Sequence, residues 1–113
     1  MNNRQAGSSR ETEAASYLIS QGYQILERNY RCRQGEIDLI ARDGPYLVFV
    51  EVKYRKNAGS GYPEEAVDAR KQRRIYQAAW YYLYCRRYGD DTPCRFDVVS
   101  IIGNQIKVIQ NAF

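Results

Sequence analysis

A chain of 113 residues is long enough for one domain with its own core and too short for two. Its 44% hydrophobic and 27% charged residues exclude a disordered chain, and no apolar run approaches the roughly 18 residues of a membrane span. The formal charge of +4 suits a polyanionic partner without demanding one, and the absence of histidine excludes Ser-His-Asp, Cys-His and the common His-bearing zinc chemistries. Carboxylates, lysine, tyrosine or an oxygen-held metal must do whatever chemistry there is. The polar start MNNRQAGSSR lacks the apolar core of a signal peptide. Cys32, Cys85 and Cys94 are odd in number and lack metal-ligand spacing, so the expected location is the cytoplasm, with reduced thiols.

Residues 1–8 read as a mobile tail, and a single domain is expected over 9–113. A first helix is expected from about residue 9 to residue 20, stopped by Gly22, with Ala14, Ala15, Leu18 and Ile19 on its apolar face. Helical phase puts Glu11 at the centre of that face and Glu13 opposite. A glutamate on a buried stripe needs a partner or a purpose, unless it only complements the helix dipole from the first turn. Tyr23 to Arg31 is β-rich and reads as a first strand, with 31–34 as the turn into the second.

The stretch RQGEIDLIARDGPYLVFVEVKYR, residues 33–55, carries ionisable residues where a sheet normally buries apolar ones. Alternation sends Glu51 and Lys53 to one face and Val48, Val50 and Val52 to the other. On the partner strand Ile37, Leu39 and Ala41 share one face, and Glu36, Asp38 and Ile40 the other. If Asp43 to Tyr46 forms a hairpin loop, Asp38 faces Glu51 with Cβ atoms roughly 5 Å apart. Two carboxylates and an ammonium then converge, as a chemical site or as a salt bridge closing an ordinary sheet.

The segment KNAGSGYP leaves as a loop beside that cluster, and Gly59 and Gly61 lack the rest of a phosphate-binding signature. A long helix is expected from Pro63 or Glu64 to about Tyr88, with Gly89 at its exit. Val67, Ile75, Ala78, Tyr82 and Cys85 form its apolar stripe. Lys71 and Arg74 fall on that stripe too, with stems lying along the sheet, or with Lys71 reaching the cluster or a phosphate. Gln72 to Tyr76 and Gln77 to Tyr81 match a Gln-three-Tyr spacing of some nucleases, but both glutamines lie off the stripe and the matches read as chance. RFDVVSII and QIKVIQ are the last two strands, turning through Gly103-Asn104, and Asp97 reads as structural. The order αβββαββ, with a crossover through the long helix, predicts one α/β domain with a mixed five-stranded sheet flanked by two helices.

These residues carry a family resemblance. GEIDLIARD followed by VFVEVKYR, after a helix with E-x-x-A-A-x-Y-L and the run GY-x-I-L-x-R-N-Y-R, resembles the uncharacterised bacterial family UPF0102, or YraN-like. K-Q-R-R, A-A-W-Y-Y-L and P-C-R-F-D-V-V continue the likeness from about residue 10 to near the end, with Arg10 where a glycine is usual. That family is similar to the restriction-endonuclease-like superfamily, which includes archaeal Holliday junction resolvases. The resemblance implies a restriction-endonuclease-like core with D-(E/D)-x-K chemistry on Asp38, Glu51 and Lys53, together with the helix residue Glu11.

Such a protein would be a Mg²⁺-dependent (or Mn²⁺-dependent) nuclease acting on DNA, including branched or repair intermediates. Asp38 and Glu51 would bind the metal and Lys53 would orient water or stabilise developing charge, with Glu36 as a reserve carboxylate. Arg33, Arg55, Lys56, Lys71 and Arg74 would hold the flanking backbone, and Tyr62 would stack on a base. The superfamily's resolvases are dimers, which makes a homodimer an expectation here. The competing expectation is a nucleic-acid-binding or scaffolding protein that keeps the fold and cleaves little.

Overall fold

The computed structural model describes residues 3–57 and 67–113, with 3–8 as backbone only. Its elements are α1 (Asn3–Ser20), β1 (Gln24–Cys32), β2 (Gly35–Asp43), β3 (Tyr46–Arg55), α2 (Ala69–Cys85), β4 (Cys94–Ile102) and β5 (Gln105–Ile109). The strands lie in the order β1-β2-β3-β4-β5. All neighbours are antiparallel except β3 and β4, which are parallel and joined through α2. This is the expected mixed five-stranded α/β fold.

One helix covers each face. Ala14, Ala15 and Leu18 of α1 pack on Leu39, Ala41, Val48, Val50, Val99 and Ile101. Ile75, Ala78, Ala79 and Tyr82 of α2 pack on Ile37, Ile40, Leu47, Phe49 and Val98. Each fully buried aliphatic side chain contributes roughly 1.5–3 kcal/mol, so the two layers hold the sheet from both sides. Ile19, expected on the apolar face of α1, is 59% exposed because it lies past the edge of the sheet-facing stripe.

Both helix ends are set by local backbone chemistry. At the end of α1 Gly22 takes φ 96°, and the N–H groups of Gly22 and Tyr23 return to the carbonyls of Ile19 and Leu18. That is a Schellman closure, and its accompanying apolar contact joins Tyr23 and Leu18 in one cluster. The end of α2 closes in the same way, with Arg87 at φ 60° and Tyr88 N–H bonded to Leu83 carbonyl. The helix therefore ends before Gly89, and Cys85, expected on the buried stripe, is exposed in its last turn.

The start of α2 also differs from expectation. Asp68 is the N-cap, its carboxylate accepting from Lys71 N–H at 2.8 Å, so the helix begins at Ala69. Pro63 and Glu64, the expected start, lie outside the described residues. α1 in turn begins at Asn3, earlier than the expected residue 9.

The sheet is locked by one buried ionic network on the α1 face. Asp97, with no exposed surface, accepts from Tyr23 Oη at 2.9 Å, from Arg95 Nε at 2.9 Å and from Asn111 N–H at 3.0 Å. Arg95 Nη2 also donates to Asp43 Oδ2 at 2.8 Å, tying the β2–β3 turn to β4. Hydrogen bonding to Asp97 raises the Arg95 pKa further and keeps the guanidinium charged. Asp97 thus has the structural role read from its sequence.

Breaking a buried ion pair by removing one member costs about 3–5 kcal/mol, and although Arg95 would keep Asp43, Tyr23 Oη and Asn111 N–H would also lose their bonds to Asp97. Asp97→Ala is expected to lose about that much stability in urea unfolding, and Asp97→Asn less. A loss below about 1 kcal/mol for Asp97→Ala would contradict this role.

Candidate functional site

The hairpin register is the one the sequence implies, with Asp43–Tyr46, Arg42–Leu47 and Leu39–Val50 as pairs, but the ladder stops at Leu39–Val50, so the expected Asp38–Glu51 pair is not formed. Beyond it the end of β2 stays paired only with β1, through Ile37–Tyr30 and Glu36–Arg31. The end of β3, Glu51 to Arg55, stays paired only with β4. The sheet therefore forks. Asp38 Oδ2 accepts from Val52 N–H at 2.8 Å, so a side chain takes the donor next along from the last ladder pair.

The fork coincides with a break in alternation. The β1–β2 register passes from Arg28–Leu39 to Tyr30–Ile37 with no Asn29–Asp38 pair, and Asn29 has φ 53°. Asparagine is among the residues that tolerate this left-handed conformation. Across the break Ile37 packs on the α2 side while Leu39 packs on the α1 side. The expectation that Ile37, Leu39 and Ala41 share one face is thus corrected, because strict alternation fails at Asp38.

With the sheet open, side chains from both helical layers meet in it. A cavity of about 410 Å³ is lined by Glu11 and Arg10 of α1, Asp38 of β2, Glu51, Val52, Lys53 and Tyr54 of β3, and Lys71 of α2. All four expected catalytic residues, Glu11, Asp38, Glu51 and Lys53, are in this one cavity. Lys71 Nζ lies 2.6 Å from Glu51 Oε1, and Lys53 Nζ lies 3.8 Å from the same oxygen. Of the two readings of Lys71, the reach into the cluster is the one observed.

Burial and mutual charge set the electrostatics. Asp38 is pushed up to about 7 by burial first and then by the Glu51 carboxylate, against the opposing bond from Val52 N–H. Glu11 is raised, chiefly by burial, although a hydrogen bond from Asn29 acts the other way. Lys53 is lowered by burial and then by the nearby Lys71 charge. Burial also works to lower Lys71, but its bond and ion pair with Glu51 outweigh that and leave it raised.

The donor set suits a hard divalent cation. Glu11 Oε2 is buried without a hydrogen-bond partner, and Asp38 and Glu51 bring oxygen ligands close enough for one charge to resist the other. Among the described residues no three Asp, Glu, His or Cys side chains form a metal cage by themselves.

Other expected residues lie outside this cavity. Arg33 is exposed in the β1–β2 turn, and Glu36 pairs with Arg31 at 3.3 Å, both side chains 68% exposed. Arg55 ends β3 and Lys56 follows it beside the β4–β5 turn, where Gly103 N–H bonds Arg55 carbonyl at 2.8 Å. Tyr62 lies outside the described residues. Gln72 is spent on the start of α2, donating to Val67 carbonyl at 2.9 Å. Sequence reading missed Arg10, whose guanidinium lies 3.7 Å from the Tyr54 ring centre, and Asn29, whose only signal was a polar residue in mid-strand.

The raised Asp38 pKa has a definite sign. An acid that binds its proton more tightly folded than unfolded contributes stability below its unfolded value near 3.8, and that contribution is lost as pH rises through about 7. Without divalent ions, Asp38→Asn is therefore expected to match wild-type Tm at about pH 4 and to exceed it increasingly toward pH 8. A Tm difference that does not change with pH would refute the shift.

Comparison with other proteins agrees with this chain's motifs. The family described as "Uncharacterised protein family UPF0102" matches residues 10–101. A UPF0102 protein of Lachnoclostridium phytofermentans is 59% identical over 113 residues, covering 100% of this chain and 96% of its own length. UPF0102 proteins of Persephonella marina and Clostridium botulinum are 47% and 45% identical, over 95% and 98% of this chain and 91% and 95% of theirs. The chain belongs to the UPF0102 family.

Proposed function

We propose that this protein is a metal-dependent phosphodiesterase acting on nucleic acid, most simply a Mg²⁺- or Mn²⁺-dependent DNA nuclease. The observation that carries the reading is the fork between β2 and β3, which gathers Glu11, Asp38, Glu51 and Lys53 in one cavity. The cluster's resemblance to the D-(E/D)-x-K arrangement of restriction-endonuclease-like enzymes supports the same chemistry.

Asp38 and Glu51 would hold the cation. When bound, it would polarise a phosphate oxygen and acidify a coordinated water. Lys53, its ammonium half-buried beside Glu51, would donate to the water or to the charge developing on phosphorus oxygens. The unpartnered Glu11 Oε2 would accept a hydrogen bond from water in the same cavity. Lys71, once off Glu51, would be a second cation for the substrate phosphate.

One observation favours a second reading, a nucleic-acid-binding or scaffolding protein. The Lys71 ammonium, 2.6 Å from Glu51, already neutralises the carboxylate that a metal would use. In that case the cluster is an ion pair that closes the fork.

Branched, flapped and linear DNA incubated with Mg²⁺ or Mn²⁺ separates the two. The nuclease reading predicts cutting that EDTA stops and that Asp38→Ala or Glu51→Ala lowers by roughly 10²–10³-fold or more. DNA binding without cutting under any of these conditions, or cutting indifferent to both substitutions, would defeat it.

A further inference from the structure

A second concavity of about 570 Å³ lies between the β1–β2 turn and the first turns of α2. Arg31 and Glu36 line one wall, and Asp68, Arg70, Lys71 and Arg74 the other. Its floor is close: a Cβ on Gly35 would come within 3.2 Å of Arg74 carbonyl oxygen, so the turn backbone rests directly on α2. Lys71 lines this cleft and the carboxylate cavity alike. The two are neighbours across one ammonium.

The charge in the cleft is in excess of its internal needs. Among the described residues four cations and two carboxylates line it; Lys71 is paired with Glu51 at 2.6 Å and Arg31 with Glu36 at 3.3 Å, and Asp68 accepts from Lys71 N–H at 2.8 Å, which leaves Arg70 and Arg74 as the excess charge. The Arg31–Glu36 pair is solvent-exposed and worth little, so a phosphate can take Arg31 from it. Arg70 and Arg74 are exposed on the α2 wall.

We propose that this cleft binds single-stranded polynucleotide through its phosphates and delivers the strand to the carboxylate cluster past Lys71. The delivery half rests on the phosphodiesterase reading given above; the binding half does not. A concavity of this size, within the roughly 300–1,000 Å³ range of clefts that bury a small ligand, takes in one chain. A duplex presents its phosphates on a convex cylinder, which matches this concavity less well than a single strand. The polar groups of the lining are those of phosphate recognition, which positions a strand without reading its sequence.

The test is fluorescence anisotropy in EDTA with a labelled short oligothymidylate and a duplex of equal length. The single strand is expected to bind at least about tenfold more tightly than the duplex. Arg70→Ala/Arg74→Ala is expected to lose about tenfold or more, and to reduce the salt slope by about 1.4, two single-strand phosphate contacts at roughly 0.7 each. Both side chains are exposed, so the variant's Tm should match wild type. Equal or tighter duplex binding, or a variant with unchanged affinity and slope, would overturn the proposal. Because EDTA removes cutting from the measurement, a protein that binds the strand but never cuts upholds the cleft and defeats the phosphodiesterase reading. One that cuts DNA yet shows no single-strand preference does the reverse.

Discussion

Beyond Leu39 and Val50 the backbones of β2 and β3 stop bonding to each other, and Asp38 Oδ2 takes Val52 N–H instead. Much else follows from that substitution of a side chain for a ladder partner. A continuous sheet would keep α1 and α2 in separate compartments, with Leu39 and Val50 on one side and Ile40 and Phe49 on the other. The fork removes the partition at one end, so Glu11 from one layer and Lys71 from the other reach the same cavity. The remainder of the fold keeps the fork from spreading. Each arm retains a partner, β1 for β2 and β4 for β3, and Arg95 with Asp97 and Asp43 clamps the opposite end of the hairpin.

The same opening explains the electrostatics. Carboxylates at the mouth of a fork are too buried to be fully hydrated and too close to ionise independently, which is why Asp38 is raised to about 7. Lys71 and Lys53 supply the compensating charge, but both do so on Glu51. Glu11 keeps an oxygen with no partner. A cluster that satisfies one carboxylate twice and leaves another unfinished is poorly arranged as a purely structural ion pair. On the proposed reading a divalent cation, whose chemistry matches oxygen donors, would complete it.

Much of this was legible in the sequence because it depends on period. Strand alternation put Glu51 and Lys53 on one face and helical phase turned Glu11 inward, whereas the Asp38–Glu51 pair expected from the hairpin is not formed because the ladder ends at Leu39–Val50. The hairpin through Gly44 and Pro45 and the turn at Gly103 followed from turn chemistry. What escaped was aperiodic. Nothing in the strand pattern announces that Asn29 takes a left-handed conformation, so the change of face between Ile37 and Leu39 could not be read. The end of α2 was misplaced because Gly89 is the better-known stop signal, whereas Arg87 adopts the required positive φ. Contacts between distant segments, such as Arg10 on Tyr54, have no period at all.

The central claim is that the fork is built to take a divalent cation on Asp38 and Glu51. Titrating Mn²⁺ into the protein calorimetrically at about pH 6.5 tests it most directly, because Asp38, with its pKa raised to about 7, must release a proton to bind. The account predicts saturable binding with proton release, seen as a heat that varies with the buffer's ionisation enthalpy, and loss of that binding in Asp38→Asn and Glu51→Gln. Absence of binding in wild type, or the same affinity in all three proteins, would contradict it.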